Sequence, residues 1–263
     1  MKTFNQNIKF RLSIKVFMRI LVILGIVTII GCQVVGKYYK HFDSAITTVS
    51  LTENQAPERY IAVSFFPMIG ISFVFFSFLI NKTHKMRWPR YKSLRTLILI
   101  SGTIAGICIM IQSVVPLQPD FLTIRENQHQ PFVLTLESRV HLQSASALFV
   151  SSLVHMISVI LLMYLTRDWK QNISVFLARI GFLVMHLIGF LGSFVILFYS
   201  SSVLKRAKTL EEMKKFAETN TIIMALLQFC SLIGIIFYFG SFSADFKGAY
   251  LTVQGFEDEQ KRK

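Results

Sequence analysis

Residues 141–156 read HLQSASALFVSSLVHM. Counted at helical steps of three and four, positions 141, 144, 148, 151/152 and 155 fall on one face. That face carries His141, Ser144, Ser151, Ser152 and His155, and Leu148 interrupts it. Imidazole and hydroxyl groups in an oily segment need hydrogen-bond partners, because lipid offers none. The stripe is therefore expected to point into a bundle. Two uses remain open for it. One is bonding between helices, worth about 0.6 kcal/mol per bond. The other is a polar cavity that opens near His141. A helix separates His141 from His155 by about 21 Å, so they cannot share one metal or one proton relay.

Little else in the chain suggests chemistry. The remaining polar groups at membrane depth are Gln112, His186 and Gln228, with Arg179 and Glu218 near span ends. No Ser-His-Asp order is compelling, no glycine-rich phosphate loop occurs, and no His, Cys or Asp cluster has ligand spacing. No metal or cofactor is implied, and the residues leave open whether any bond is made or broken. The three cysteines, Cys32, Cys108 and Cys230, lie in or beside apolar runs and read as small hydrophobes.

The elements that must position the stripe are long apolar blocks with the charges gathered between them. A helix needs roughly 20 apolar residues to cross the hydrocarbon core. Six blocks qualify, at Ile20–Val35, Tyr60–Ile80, Leu94–Val115, Ser144–Leu165, Phe176–Val203 and Thr219–Gly240. Backbone in lipid must satisfy its own hydrogen bonds, so these blocks read as α-helices. Six such runs are hard to bury in water, which argues against a soluble helical protein. The expected fold is all-α: a polytopic membrane protein with six transmembrane helices in one bundle. Residues 1–247 form the membrane domain, and 248–263 a polar cytosolic tail without order. The basic start and first apolar block also fit a signal peptide. No clear small-x-small site follows and five more spans do, so a retained signal anchor is expected.

The chain carries 28 Lys and Arg against 14 Asp and Glu, a net charge of +14. With the N-terminus in the cytosol, 18 of the 28 fall on the cytosolic side. That is the positive-inside pattern, and six spans then place both termini in the cytosol. The same placement sets nucleic acid aside as a partner. The densest basic run is NKTHKMRWPRYKSLR, residues 81–95. It reads as a topology signal, and its Lys82–Arg95 segment also attracts anionic lipid headgroups. Two N-x-S/T sequons, Asn81-Lys-Thr83 and Asn172-Ile-Ser174, fall on the cytosolic side.

The long non-cytosolic loops are 36–59 and 116–140. A third, residues 204–218, has charges that fit an amphipathic helix continuing span 5 or lying on the membrane. Span 3 holds Gly102-x-x-x-Gly106, expected to pack inside the bundle rather than between copies. Pro67 is the sole mid-span proline, so the paired broken helices of a transporter are not seen.

Three stretches carry a resemblance: ITTVSLTENQAPERYI (46–61), VHLQSASALFVSSLVHM (140–156) and SADF (243–246). With the six spans, over roughly residues 15–247, they resemble the family of post-GPI-attachment-to-proteins factor 2. That family groups with the N-terminal domain of the yeast Cwh43 protein, Sfk1 and the damage-regulated autophagy modulators. The resemblance implies a Golgi or endoplasmic-reticulum membrane protein. It implies work on the lipid of GPI anchors, at the step where a lyso-anchor regains a saturated chain. The family's loop arginine falls on Arg59, its span-4 histidines on His141 and His155, and its late acidic residue on Asp245. The expected headgroup site is Arg59, His141, Ser151, Ser152, His155, Gln228 and Asp245, with arginine suited to phosphate by its planar fork of donors. The chain departs from the pattern at Leu142, where the family often has an acid. It departs again at Gln228, Ile235 and Phe239, where the family tends to show Glu, Asn and His. The rival reading is a non-catalytic regulator of lysosomal, plasma-membrane or phosphoinositide organisation, acting through the basic segment.

Overall fold

The computed structural model describes residues 9–42, 45–52, 54–117, 135–204, 210–246 and 249–254. Six long helices form the body: α1 (Ile14–Tyr38), α3 (Glu58–Arg87), α4 (Lys92–Val114), α5 (Leu136–Leu165), α6 (Ile173–Leu204) and α7 (Leu210–Ser241). A one-turn helix, α2 (Val49–Thr52), lies between α1 and α3. Each long helix contains a segment apolar enough to cross a membrane, as the sequence led one to expect.

The outward faces fit lipid. On α1, Val16, Ile20, Ile23, Val27, Ile30 and Val34 are all exposed at steps of three and four. In water such a stripe would be a sticky patch. Lipid makes it the ordinary outer surface. Half of the apolar window of α5 is buried, the largest share of any span, so the polar stripe belongs to the central helix.

Successive long helices alternate in direction, which gives the bundle two ends. The end carrying α2 is here the apical end. The other, the basal end, carries both chain ends. There β1 (Lys9–Ser13) pairs antiparallel with β2 (Tyr250–Gln254), Lys9 opposite Gln254 and Ser13 opposite Tyr250. This corrects the expectation that the tail from residue 248 lacks order. YLTVQ is rich in strand-forming residues, and pairing with KFRLS satisfies the backbone groups on the edge that faces it. Residues 255–263 lie outside the described residues. A second difference concerns the 204–218 loop. Its part from Leu210 onward is the first turns of α7 and does not continue α6.

Small residues let the helices close. Gly106 of α4 sits directly against the backbone of Gly70 on α3, and Gly102 against Ser77 and His155. The Gly-x-x-x-Gly motif thus packs within the chain. Gly189 and Gly234 do the same between α6 and α7. Pro67 stays inside α3 without ending it.

At the basal end the 81–95 run is a tight helix hairpin rather than a loop. Lys82, Lys85, Arg87, Arg90 and Lys92 are exposed there, and Arg87 pairs with Asp168 at 2.7 Å. Arg95 instead turns inward and donates to the Pro89 carbonyl at 3.2 Å.

Candidate functional site

Two local signals set the apical site. Thr135 caps α5, its hydroxyl accepting from the Ser138 amide at 3.2 Å. The helix therefore starts at Leu136, and His141 stands inside its second turn. On the neighbouring chain, Pro116 keeps Val115 out of the helical region, and Val115 is extended at φ −97°, ψ 108°. So α4 stops at Val114 and leaves its last carbonyls unpaired within the helix.

Those carbonyls are taken up by the site residues. His141 Nδ1 donates to the Val115 oxygen at 2.7 Å. Arg59 Nη2 donates to the Val114 oxygen at 3.4 Å. A carbonyl only accepts, so the proton of the neutral His141 ring sits on Nδ1. Nε2 then accepts from the Ser50 hydroxyl at 2.9 Å.

Ser50 is held over His141 from two sides. On α1, Gln33 Nε2 donates to the Thr47 carbonyl at 2.8 Å while its Oε1 accepts from the Thr47 amide at 3.2 Å. On α7, Gln228 Oε1 accepts from the Val49 amide at 2.9 Å. That bond orients the Gln228 amide, and its Nε2 donates to Ser50 Oγ at 3.4 Å. The result is a continuous chain, Gln228 to Ser50 to His141 to Val115, that ties α7, α2, α5 and α4 together.

A cavity of about 60 Å³ opens beside this chain. Its polar lining is Ser50, Gln112, Ser113, His141 and Gln228, and the remaining wall is aliphatic and phenyl side chains. A polar cluster over an apolar interior matches the junction of an amphipathic ligand, and at about 60 Å³ the space takes a small group of one and not the whole. Below it, about 10 Å³ more is lined by Gly102, Ser152, His155, Tyr238 and apolar neighbours, the least space that holds one water. Phe73 and Ile235 line both spaces.

The stripe on α5 is buried throughout. Its serines bond mostly to their own helix. Ser144 donates to the His141 carbonyl at 2.8 Å and Ser151 to the Leu148 carbonyl at 3.1 Å. The bonds to other elements come from the histidines. His155 Nδ1 donates to the Ile98 carbonyl of α4 at 2.9 Å, and its ring stacks on Phe239 of α7. The Ser152 hydroxyl, His155 Nε2 and the Tyr238 hydroxyl have no hydrogen-bond partner among the described residues.

The expected set thus divides. Arg59, His141 and Gln228 gather at the apical end. Ser151, Ser152 and His155 lie deeper on α5. Asp245 is not brought to them. It lies beyond the basal end of α7 and pairs with buried Arg179 at 2.6 Å. Of the four departures from the expected pattern, Gln228, Ile235 and Phe239 line the two spaces and Leu142 lines neither. Two residues were missed by sequence reasoning. Ser50 sits inside the 46–61 stretch that carries the resemblance, which is the signal that could have found it. Gln112 was noted as polar, but nothing in the chain showed that it faces His141. Among the described residues no three His, Cys, Asp or Glu group for a metal ion.

No curated protein and no solved structure matches the chain significantly. A family model does, and it covers residues 13–249. The match takes in every long helix, the Ser50–His141 contact and the Arg179–Asp245 pair. By that match the chain belongs to the Frag1/DRAM/Sfk1/Cwh43P N-terminal domain family.

Proposed function

We propose that this multi-pass membrane protein acts in the lipid remodelling or maturation of GPI anchors in the Golgi or endoplasmic-reticulum membrane. It receives the polar junction of the anchor's lipid at the apical cavity, the rest of the lipid staying in the bilayer. The observation that carries the reading is the division of that cavity, with polar groups clustered at Ser50, His141 and Gln228 and an apolar wall elsewhere. The polar side of that junction meets the polar cluster and the start of an acyl chain meets the apolar wall. Arg59, on the adjacent carbonyl of α4, adds a phosphate-matched cation. The apical end faces the lumen and both chain ends the cytosol, following the distribution of Lys and Arg.

Two experiments test this. In cells carrying His141→Ala, mass spectrometry of GPI anchors should show more lyso-forms or unsaturated chains, with protein abundance kept. An unchanged profile would sink the remodelling role. Orientation is tested separately: Asn81 and Asn172 should stay unglycosylated, and sugar on either would invert the topology.

One observation favours a second reading, a regulator that recruits anionic lipid. Lys82, Lys85, Arg90 and Lys92 project together from the basal end. Ile235 and Phe239 also put apolar side chains where the family tends to show polar ones. In that case neutralising Lys82–Arg95 abolishes activity and His141→Ala is silent.

A further inference from the structure

We propose that Ser50 is a nucleophile and His141 its general base, and that the apical cavity carries out acyl transfer between lipids. This deepens the remodelling reading and rests on the polar junction of an amphipathic lipid entering that cavity. The parts of an acyl-transfer site are in place. Ser50 Oγ lies 2.9 Å from His141 Nε2, and the base is oriented by the Val115 carbonyl at 2.7 Å on Nδ1. The carbonyl here does what a carboxylate does in a triad: it selects the tautomer that leaves Nε2 free to take a proton. Ser50 and His141 both line the cavity, as do Gln112 and Gln228, whose side-chain amides carry N–H donors of the kind that stabilise a developing oxyanion.

The step balances without any redox partner. The donor is a long-chain acyl ester. Ser50 gives its hydroxyl proton to His141 Nε2 as Oγ bonds to the donor's carbonyl carbon. The bond from that carbon to the donor's alkoxy oxygen breaks, and His141 returns the proton to the departing alcohol. The acyl chain is now an ester of Ser50. A lipid hydroxyl then loses its proton to His141 and attacks the same carbon. The bond to Ser50 Oγ breaks and the proton goes back to Ser50. The reading also gives Gln228 a role that needs no titration. It fixes Ser50 through the Val49 amide, and the base is on α5.

The chain holds an internal comparison. His186 Nδ1 accepts from the Ser231 hydroxyl at 2.6 Å while its Nε2 donates to the Phe149 carbonyl at 3.0 Å. This is the same pairing, and the two histidines are equally buried, His186 at 0% and His141 at 1% exposed; the difference is that Ser231 is 1% exposed where Ser50 is half-buried, and that His186 and Ser231 line neither of the two cavities described above. Ser231–His186 is a bond between helices. Ser50–His141 is open to a ligand.

The experiment is labelling of the full chain in lipid nanodiscs with a long-chain alkyl fluorophosphonate, the adduct located by peptide mass spectrometry. The expected adduct is on Ser50 and not on Ser231. In His141→Gln the labelling rate should fall about 100-fold or more, the usual worth of a general base, with the thermal transition monitored to show that the variant is folded. Absence of a Ser50 adduct in the folded wild type would overturn the proposal. So would an undiminished rate in folded His141→Gln, or equal labelling of Ser231. The wider reading fails differently. Ser50 labelling with an unchanged anchor profile keeps the acyl chemistry and removes GPI as its substrate. No labelling with an altered profile removes the nucleophile and keeps the role.

Discussion

Gly106→Val should destabilise the protein by about 3 kcal/mol, near the upper end of overpacking costs. The reason is which atoms surround Gly106. A Cβ there would stand 2.6 Å from the Gly70 carbonyl oxygen, 2.8 Å from Val74 Cγ2 and 3.0 Å from the Val74 nitrogen. The approach is mutual, since a Cβ on Gly70 would stand 2.6 Å from the Gly106 oxygen. A side chain in the way can change rotamer, but backbone cannot. The α3 and α4 axes must therefore separate, and the separation removes dispersion contacts along the whole seam. Van der Waals contact is the main force between helices in lipid, so no hydrophobic gain offsets the loss. Gly31→Ala and Gly181→Ala are the controls, because nothing lies within 4 Å of either position. They should change stability by no more than about 0.5 kcal/mol. The measurement is the unfolding midpoint in detergent micelles, and a wild-type midpoint for Gly106→Val would refute the close approach.

Asp245→Ala should cost about 3 kcal/mol while leaving Ser50 labelling of the folded fraction intact. Arg179 is only 2% exposed along its side chain, whereas Asp245 is 27% exposed. The guanidinium donates to Asp245 Oδ2 at 2.6 Å and to Ser241 Oγ at 3.0 Å, and lies 4.2 Å from the Phe242 ring centre. Removing the carboxylate strands a buried cation, which is the expensive way to break such a pair. Replacing both members with apolar groups is far cheaper. The double variant Arg179→Leu/Asp245→Leu should therefore be more stable than Asp245→Ala alone. The opposite order would mean that Arg179 is not stranded by loss of the carboxylate and is satisfied by its other partners. Because the pair lies at the basal end, a selective loss of Ser50 labelling in folded Asp245→Ala would show that Asp245 reaches the apical site after all.

The Arg179–Asp245 pair also bears on why the family's late acidic residue was expected in the site. Asp245 matches the pattern by position, but it follows the sixth span, and the alternation of six spans already puts it at the end opposite Arg59 and His141. In the fold it closes the basal end by neutralising Arg179. Ser50 was hidden for another reason. A lone serine in a polar loop looks like every other loop serine until Gln33 and Gln228 pin α2 over α5.

What the sequence determined by itself rests on local physics. Lipid forbids unpaired backbone, so blocks of about 20 apolar residues must be helices, and six of them were legible. Helical periodicity put His141, Ser144, Ser151, Ser152 and His155 on one face, and that face is buried. Tertiary structure alone decided what the stripe does. Pro116 ends α4 in a way visible in the sequence. That its freed carbonyl meets His141, and that the other ring nitrogen meets Ser50, depends on packing between residues 91 positions apart. The strand over Tyr250–Gln254 follows the same rule: its partner lies at the opposite end of the chain, so its order comes from pairing and not from its own residues.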